Sequence, residues 1–175
     1  MVNNCKSLYT SPNSEYHHLD VTNFSLGTRF DVATAVFVLQ YVHEKEQLRK
    51  AISLIYDHLE DGGILVGLIP NGSAGVNAPV DAGPKLGAAI AKRGDPYVDG
   101  ELVTANFYEG NEVKCTSTMA LHSNEFYEKC FKEVGFKTVE WLPPTLSPMG
   151  REILGEAFVQ QFLNPPADIV FRCSK

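Results

Sequence analysis

Two short stretches of the chain are apolar almost without interruption: Asp31–Leu39 (DVATAVFVL) and Ile64–Ile69 (ILVGLI). Runs of that length predict strands buried on both faces of a parallel sheet. Between them, Leu48, Ile52, Ile55 and Leu59 recur at helical spacing, so Glu44–Leu59 is expected to be an amphipathic helix. Asp61-Gly62-Gly63 supplies its C-terminal stop and a turn. Strand, helix and strand in that order make a βαβ unit with a right-handed crossover, which places the chain in the α/β class.

The flanks fill in around this unit. Val2, Cys5, Leu8 and Tyr9 share one face of a short N-terminal helix that Ser11-Pro12-Asn13 stops, and Tyr16–Val21 reads as a short strand with Asp20 at its end. From Asn71 to Gly100, Gly and Pro become dense and periodicity fades. One short helix, Pro84–Ala91, is expected there, within a long connection that acts either as a functional binding loop or as a plain surface loop. Glu101–Tyr108 and Glu112–Ala120, joined around Gly110-Asn111, predict an antiparallel hairpin. Ser123 is a candidate N-cap for a helix running to Val134, with Phe126, Cys130, Phe131 and Val134 on its inner face and Gly135 at its end. Lys137–Leu142 is a strand. Ser147-Pro148 opens a last helix with Ile153, Leu154, Ala157, Phe158 and Phe162 inward. Asn164-Pro165-Pro166 ends it, and Asp168–Cys173 is the closing strand.

Composition narrows the chemistry. The 175 residues are 44% hydrophobic, enough for one domain with a real core. Fifteen Lys and Arg stand against 21 Asp and Glu, a net charge of −6, which argues against nucleic acid or an anionic membrane surface as partner. No apolar run approaches the roughly 20 residues of a membrane helix, and the first ten residues carry no signal-peptide pattern. Cys5, Cys115, Cys130 and Cys173 are scattered, without a CxxC or Cys/His cluster, and His17-His18 has no metal-ligand spacing partner. No metal site is expected, and reduced thiols in a cytoplasmic protein are.

The ordered set YHHLDVTNF, RFDVATAVFVLQYV and LEDGGILVGLIPN resembles the class I S-adenosylmethionine-dependent methyltransferases. In that family an acidic residue ends the third strand, an F-D pair opens the fourth, and an L-x-x-G-G turn precedes the fifth. Here these are Asp20, Phe30-Asp31 and Leu59–Gly63. Phe131–Trp141 is similar to the family's last helix entering its sixth strand, and Ile169–Cys173 to its seventh. The stretch from Leu68 onward is similar to small-molecule enzymes related to toxoflavin synthase. The resemblance implies a Rossmann-like sheet, mostly parallel with an antiparallel last strand, in the family order 3-2-1-4-5-7-6. The family's Gly-rich loop after strand one and its ribose-binding carboxylate after strand two have no counterpart in this sequence. The expectation is therefore an N-terminally truncated, partial domain over residues 1–175, with 71–122 inserted over the acceptor side.

The same resemblance implies site residues. Asp20 and Val21 match the adenine clamp, the carboxylate accepting from the adenine amine and the next N–H donating to the ring; the alternative for Asp20 is a strand-end Asx turn. Val36 and Phe37 match the wall of the methionine portion, and Leu39–Tyr41 then borders the adenine or the acceptor. Tyr41, His43, Asn71, Tyr97, Tyr108 and His122 are candidates to face the acceptor, each with an ordinary boundary role as the alternative. No catalytic residue is named, because a sulfonium methyl is already activated and transfer is mainly alignment. Two functions remain: methyl transfer from S-adenosylmethionine to a small molecule, or a non-catalytic methyltransferase-fold module that needs a partner chain. Weak cofactor binding by this chain alone is expected, and self-association through strand 31–39.

Overall fold

The computed structural model describes residues 2–9, 11–74, 82–90 and 98–175. Its elements are α1 (Val2–Leu8), β1 (Phe30–Val36), α2 (Lys45–Asp57), β2 (Leu59–Pro70), α3 (Ala82–Leu86), β3 (Ala88–Ile90), β4 (Glu101–Glu109), β5 (Glu112–Leu121), α4 (Asn124–Val134), β6 (Thr138–Leu142), α5 (Pro148–Leu154), α6 (Glu156–Leu163) and β7 (Asp168–Ser174). The main sheet has the order β1-β2-β7-β6. β1 and β2 are parallel, and β7 runs antiparallel to both of its neighbours. Three strands thus share one direction and the last is reversed. The order is the 4-5-7-6 half of the expected sheet.

The core lies between this sheet and helices α2 and α4. Leu48 and Ile52 of α2, Cys130 and Phe131 of α4, Leu65 and Ile69 of β2, and Phe171 and Cys173 of β7 are all fully buried. Phe131 and Phe171 meet at 4.9 Å between ring centroids. Truncating a buried Phe of this kind to Ala typically costs about 3–5 kcal/mol. Gly67 is required by this packing: a Cβ there would lie 2.2 Å from the Phe171 ring and 2.8 Å from the Ala35 carbonyl. Ser123 caps α4 by accepting from the Phe126 N–H at 3.1 Å, and Gly135 closes it in the left-handed region at φ 119.

β3, β4 and β5 form a second, antiparallel sheet. The hairpin turns at Gly110, φ 59, as expected. β3 lies where a continuation of the Pro84 helix was expected; the helix stops at Leu86 and Gly87, φ 79, turns the chain into pairing with β4.

Other expectations are corrected. Tyr16–Val21 forms no strand: it makes no ladder with β1, and only an isolated bridge joins Asp20 to Asn23. The first apolar strand is not buried on both faces. It ends at Val36 rather than Leu39, and only Ala35 of its residues is buried, because β1 is an edge strand. The Gly62-Gly63 pair does not cap α2, which ends at Asp57 with His58 as its C-cap. It lies instead inside β2, where the register with β1 jumps between Phe30–Leu59 and Val32–Ile64. Gly63 is needed there because a Cβ would lie 2.9 Å from the Glu60 carbonyl. The last helix is two helices broken at Gly155, φ 81. The break resets the helical face, so Ile153 and Ala157 are exposed while Phe158 and Val159 are buried. No residue of α1 is fully buried: Val2 and Cys5 are partly covered, and Leu8 and Tyr9 are exposed.

Candidate functional site

A cavity of about 400 Å³ opens where the C-terminal ends of β1 and β2 meet the second sheet. Phe37, Gln40 and Tyr41 contribute from the turn after β1, and Leu68, Pro70 and Asn71 from the end of β2. Phe107, Met119 and Leu121 of the second sheet form the opposite side. Phe162 and Leu163 of α6 and Asp168 of β7 complete the wall. A second hollow of about 700 Å³ is lined only by residues between Lys6 and His17 and includes none of the strand ends.

The turn after β1 is shaped by burial. Leu39 and Gln40 are driven inward, at 0% and 2% exposure, and form a short 3-10 turn, Leu39–Tyr41. To reverse direction so abruptly the chain puts Phe37 at φ 51, a left-handed conformation uncommon for a bulky residue. Its N–H donates to the Leu68 carbonyl at 2.9 Å, holding the kink against β2. Phe37 remains half-exposed on the cavity wall.

The candidates from sequence separate into three groups. Phe37, Tyr41 and Asn71 line the cavity. Asn71 is already fully engaged: its Nδ2 donates to the Pro166 carbonyl at 3.0 Å and its Oδ1 accepts from Asn124 Nδ2 at 3.1 Å. It fastens the end of β2 to the segment before β7. His43, Tyr108 and His122 do not line the cavity. His43 Nε2 lies 3.0 Å from the Thr118 carbonyl and ties the turn to β5. Tyr108 packs its ring on Gly83. His122 is buried at 2% exposure, its ring tilted 36° against Phe126 at 4.9 Å, and its nitrogens lie near the Val42 and His43 backbone without a well-formed hydrogen bond. Burial pushes its pKa down, against the pull of the Asp99 carboxylate. Tyr97 lies outside the described residues.

Asp20 and Val21 stand apart from the cavity. Asp20 is exposed, and its Oδ1 accepts from both the N–H and the hydroxyl of Thr22 at 2.8 Å, an Asx turn. Those two bonds, the backbone one foremost, hold the carboxyl below the usual range. Oδ2 takes no bond from any described residue. Val21 packs against the main core. Val36 ends β1 opposite Leu68 and is exposed.

Of the polar wall residues, Gln40 lies within Leu39–Tyr41, the stretch expected to border the adenine or the acceptor, whereas Asp168 was not a candidate from sequence. Gln40 is buried with its Oε1 unbonded. Asp168 opens β7 opposite Pro70, and burial pushes its carboxyl up to about 6. Only the polarity of Asp168 at the head of an apolar strand hinted at it.

The reversed last strand in the order β1-β2-β7-β6, with a cavity at the strand ends, defines the class I methyltransferase fold. Solved structures agree. A methyltransferase from Listeria monocytogenes, described as S-adenosylmethionine-dependent, superposes with a TM-score of 0.65 at 13% identity, over 100% of this chain and 75% of its own. An S-adenosylmethionine-dependent methyltransferase from Clostridium acetobutylicum gives 0.56 at 14% identity, over 98% and 68%. A sugar N-methyltransferase from Streptoalloteichus gives 0.60 at 18% identity, over 94% and 64%. No family model and no curated protein sequence matches the chain. Among the described residues no helix is long and apolar enough to cross a membrane.

Proposed function

We propose that the protein serves S-adenosylmethionine-dependent methyl transfer to a small molecule, with the cavity at the ends of β1 and β2 as the acceptor site. The observation that carries this reading is the position of that cavity. In open α/β sheets ligands bind outside the carboxyl ends of the strands, and this largely apolar space lies there, beneath the second sheet. The β3-β4-β5 sheet, within the 71–122 insertion, is then the cover of the acceptor side.

The chain's residues fit the cofactor in part. Asp20 keeps Oδ2 open for an adenine amine, with the Val21 N–H beside it in sequence, and Val36 and Phe37 offer half-exposed apolar surface at the end of β1. A carboxylate for the ribose hydroxyls is not identified among the described residues. When bound, the cofactor supplies a methyl group already activated on a sulfonium. The protein's own task is to hold the acceptor in line and keep water out, which apolar walls such as Phe107, Met119 and Phe162 serve. Amide NMR during a titration with S-adenosylmethionine tests the proposal. Weak binding is expected, with shifts gathered at Asp20–Val21 and Val36–Tyr41. No shifts at millimolar cofactor, or shifts confined to other segments, would contradict it.

One observation favours the second reading as well. β1 leaves one edge without a strand among the described residues. We propose that this edge is covered by another chain, a second copy in the simplest case, and that such pairing accompanies the working form.

A further inference from the structure

The cavity wall is apolar almost throughout, so its polar exceptions carry information. No Lys, Arg or His lines it among the described residues, and the ionisable groups on the wall are Tyr41 and Asp168. Asp168 is placed there by the first pairing of β7, opposite Pro70, where the chain re-enters the main sheet. Its carboxylate takes no hydrogen bond and no ion pair from any described residue, and burial alone accounts for its raised pKa. The side chain is half-buried, so the carboxylate stays open to the cavity with no donor among the described residues. Gln40 belongs to the same wall but keeps its oxygen beneath it. It is 2% exposed, it lines the same cavity, and its Oε1 meets no donor. A single carboxylate on an otherwise apolar wall, with no cation beside it among the described residues, defines what the space lacks.

We propose that the cavity takes an amine: a small, largely apolar molecule whose amino or ammonium group is held by the Asp168 carboxylate. This rests on the reading of the cavity as the acceptor site, and it names the acceptor class. A carboxylate or phosphate ligand would meet Asp168 with like charge. A neutral alcohol satisfies the site less well, because hydrogen bonds between ionised partners are roughly twice as strong as neutral ones.

The test compares benzylamine with benzyl alcohol, a pair that differs only in the group offered to Asp168. Both are titrated into the full chain at about pH 7.5, where amine and carboxylate are charged, and followed by ligand-observed NMR. Benzylamine is expected to bind at least tenfold more tightly than the alcohol. Asp168→Asn should abolish that preference while leaving the alcohol's affinity in place. Equal affinities in the wild type, a preference that survives Asp168→Asn, or no binding of either compound would overturn the proposal. No S-adenosylmethionine is present in these titrations, so a failed cofactor titration leaves this result standing. A failed amine preference leaves methyl transfer standing with another class of acceptor.

Discussion

Phe37 sits at φ 51, a backbone state that costs on the order of 1–3 kcal/mol for such a residue. The strain is held by its N–H bond to Leu68 and by the burial of Leu39 and Gln40 just beyond it. The same local geometry brings Gln40 to the cavity. Asp168 and His122 carry costs of a different sort, and their signs oppose one another. Asp168 titrates at about 6 in the folded chain against 3.8 as its ordinary value, so the fold binds its proton more tightly than the unfolded chain does. Stability is therefore lost as pH rises from about 4 to about 6, on the order of 3 kcal/mol in all. His122 is shifted below 6.5, so its unfolded form binds the proton more tightly, and stability is lost as pH falls below that value. Urea unfolding across pH 4 to 7.5 checks both. Asp168→Asn should remove the loss on the alkaline side and stabilise the protein near pH 7. His122→Phe should remove the loss on the acid side, since an apolar ring leaves no unbonded nitrogen in that pocket. Unchanged pH profiles in both variants would contradict these assignments. A more stable Asp168→Asn protein that no longer prefers the amine would be a local case of stability given up for binding.

At the scale of elements, β1 and β6 are the two edges of the main sheet, and β1 is the apolar one. Phe30, Val32 and Val36 are 42%, 51% and 58% exposed, and the strand carries no Lys or Pro to blunt its free edge. Wild-type protein is expected to self-associate at micromolar concentration in sedimentation velocity, and Val32→Lys to remain monomeric. A wild type that stays monomeric while the amides of β1 exchange freely would contradict this. β1 also marks where sequence reading fails. Apolar runs identify DVATAVFVL as a strand, but burial depends on what lies alongside, and periodicity carries no information on neighbours. The same limit applies to Tyr16–Val21, which has strand-forming residues and no partner strand. By contrast α4 was legible to the residue, because Ser123, Gly135 and the Phe126–Val134 face are local signals. The break at Gly155 is local too, yet a single Gly inside an otherwise helical pattern is an ambiguous one.

For the molecule as a whole, the order of elements conveyed the fold, and the site was only partly legible. Phe37 and Tyr41 follow from their place after the first apolar strand. Gln40 shares that place, but Asp168 does not, because it reaches the end of β2 only when β7 inserts between β2 and β6. His122 and Asn71 look like site residues in sequence, but one is sealed in an aromatic cluster and the other is spent fastening two segments. The central claim is that the ends of β1 and β2 form the methyl-transfer site of a class I fold. A crystal structure grown in millimolar S-adenosylhomocysteine tests it most directly. The account predicts the homocysteine portion against Val36 and Phe37, with its sulfur facing the cavity lined by Gln40 and Asp168. Product bound anywhere else, or a crystal with the ends of β1 and β2 bare at that concentration, would contradict it.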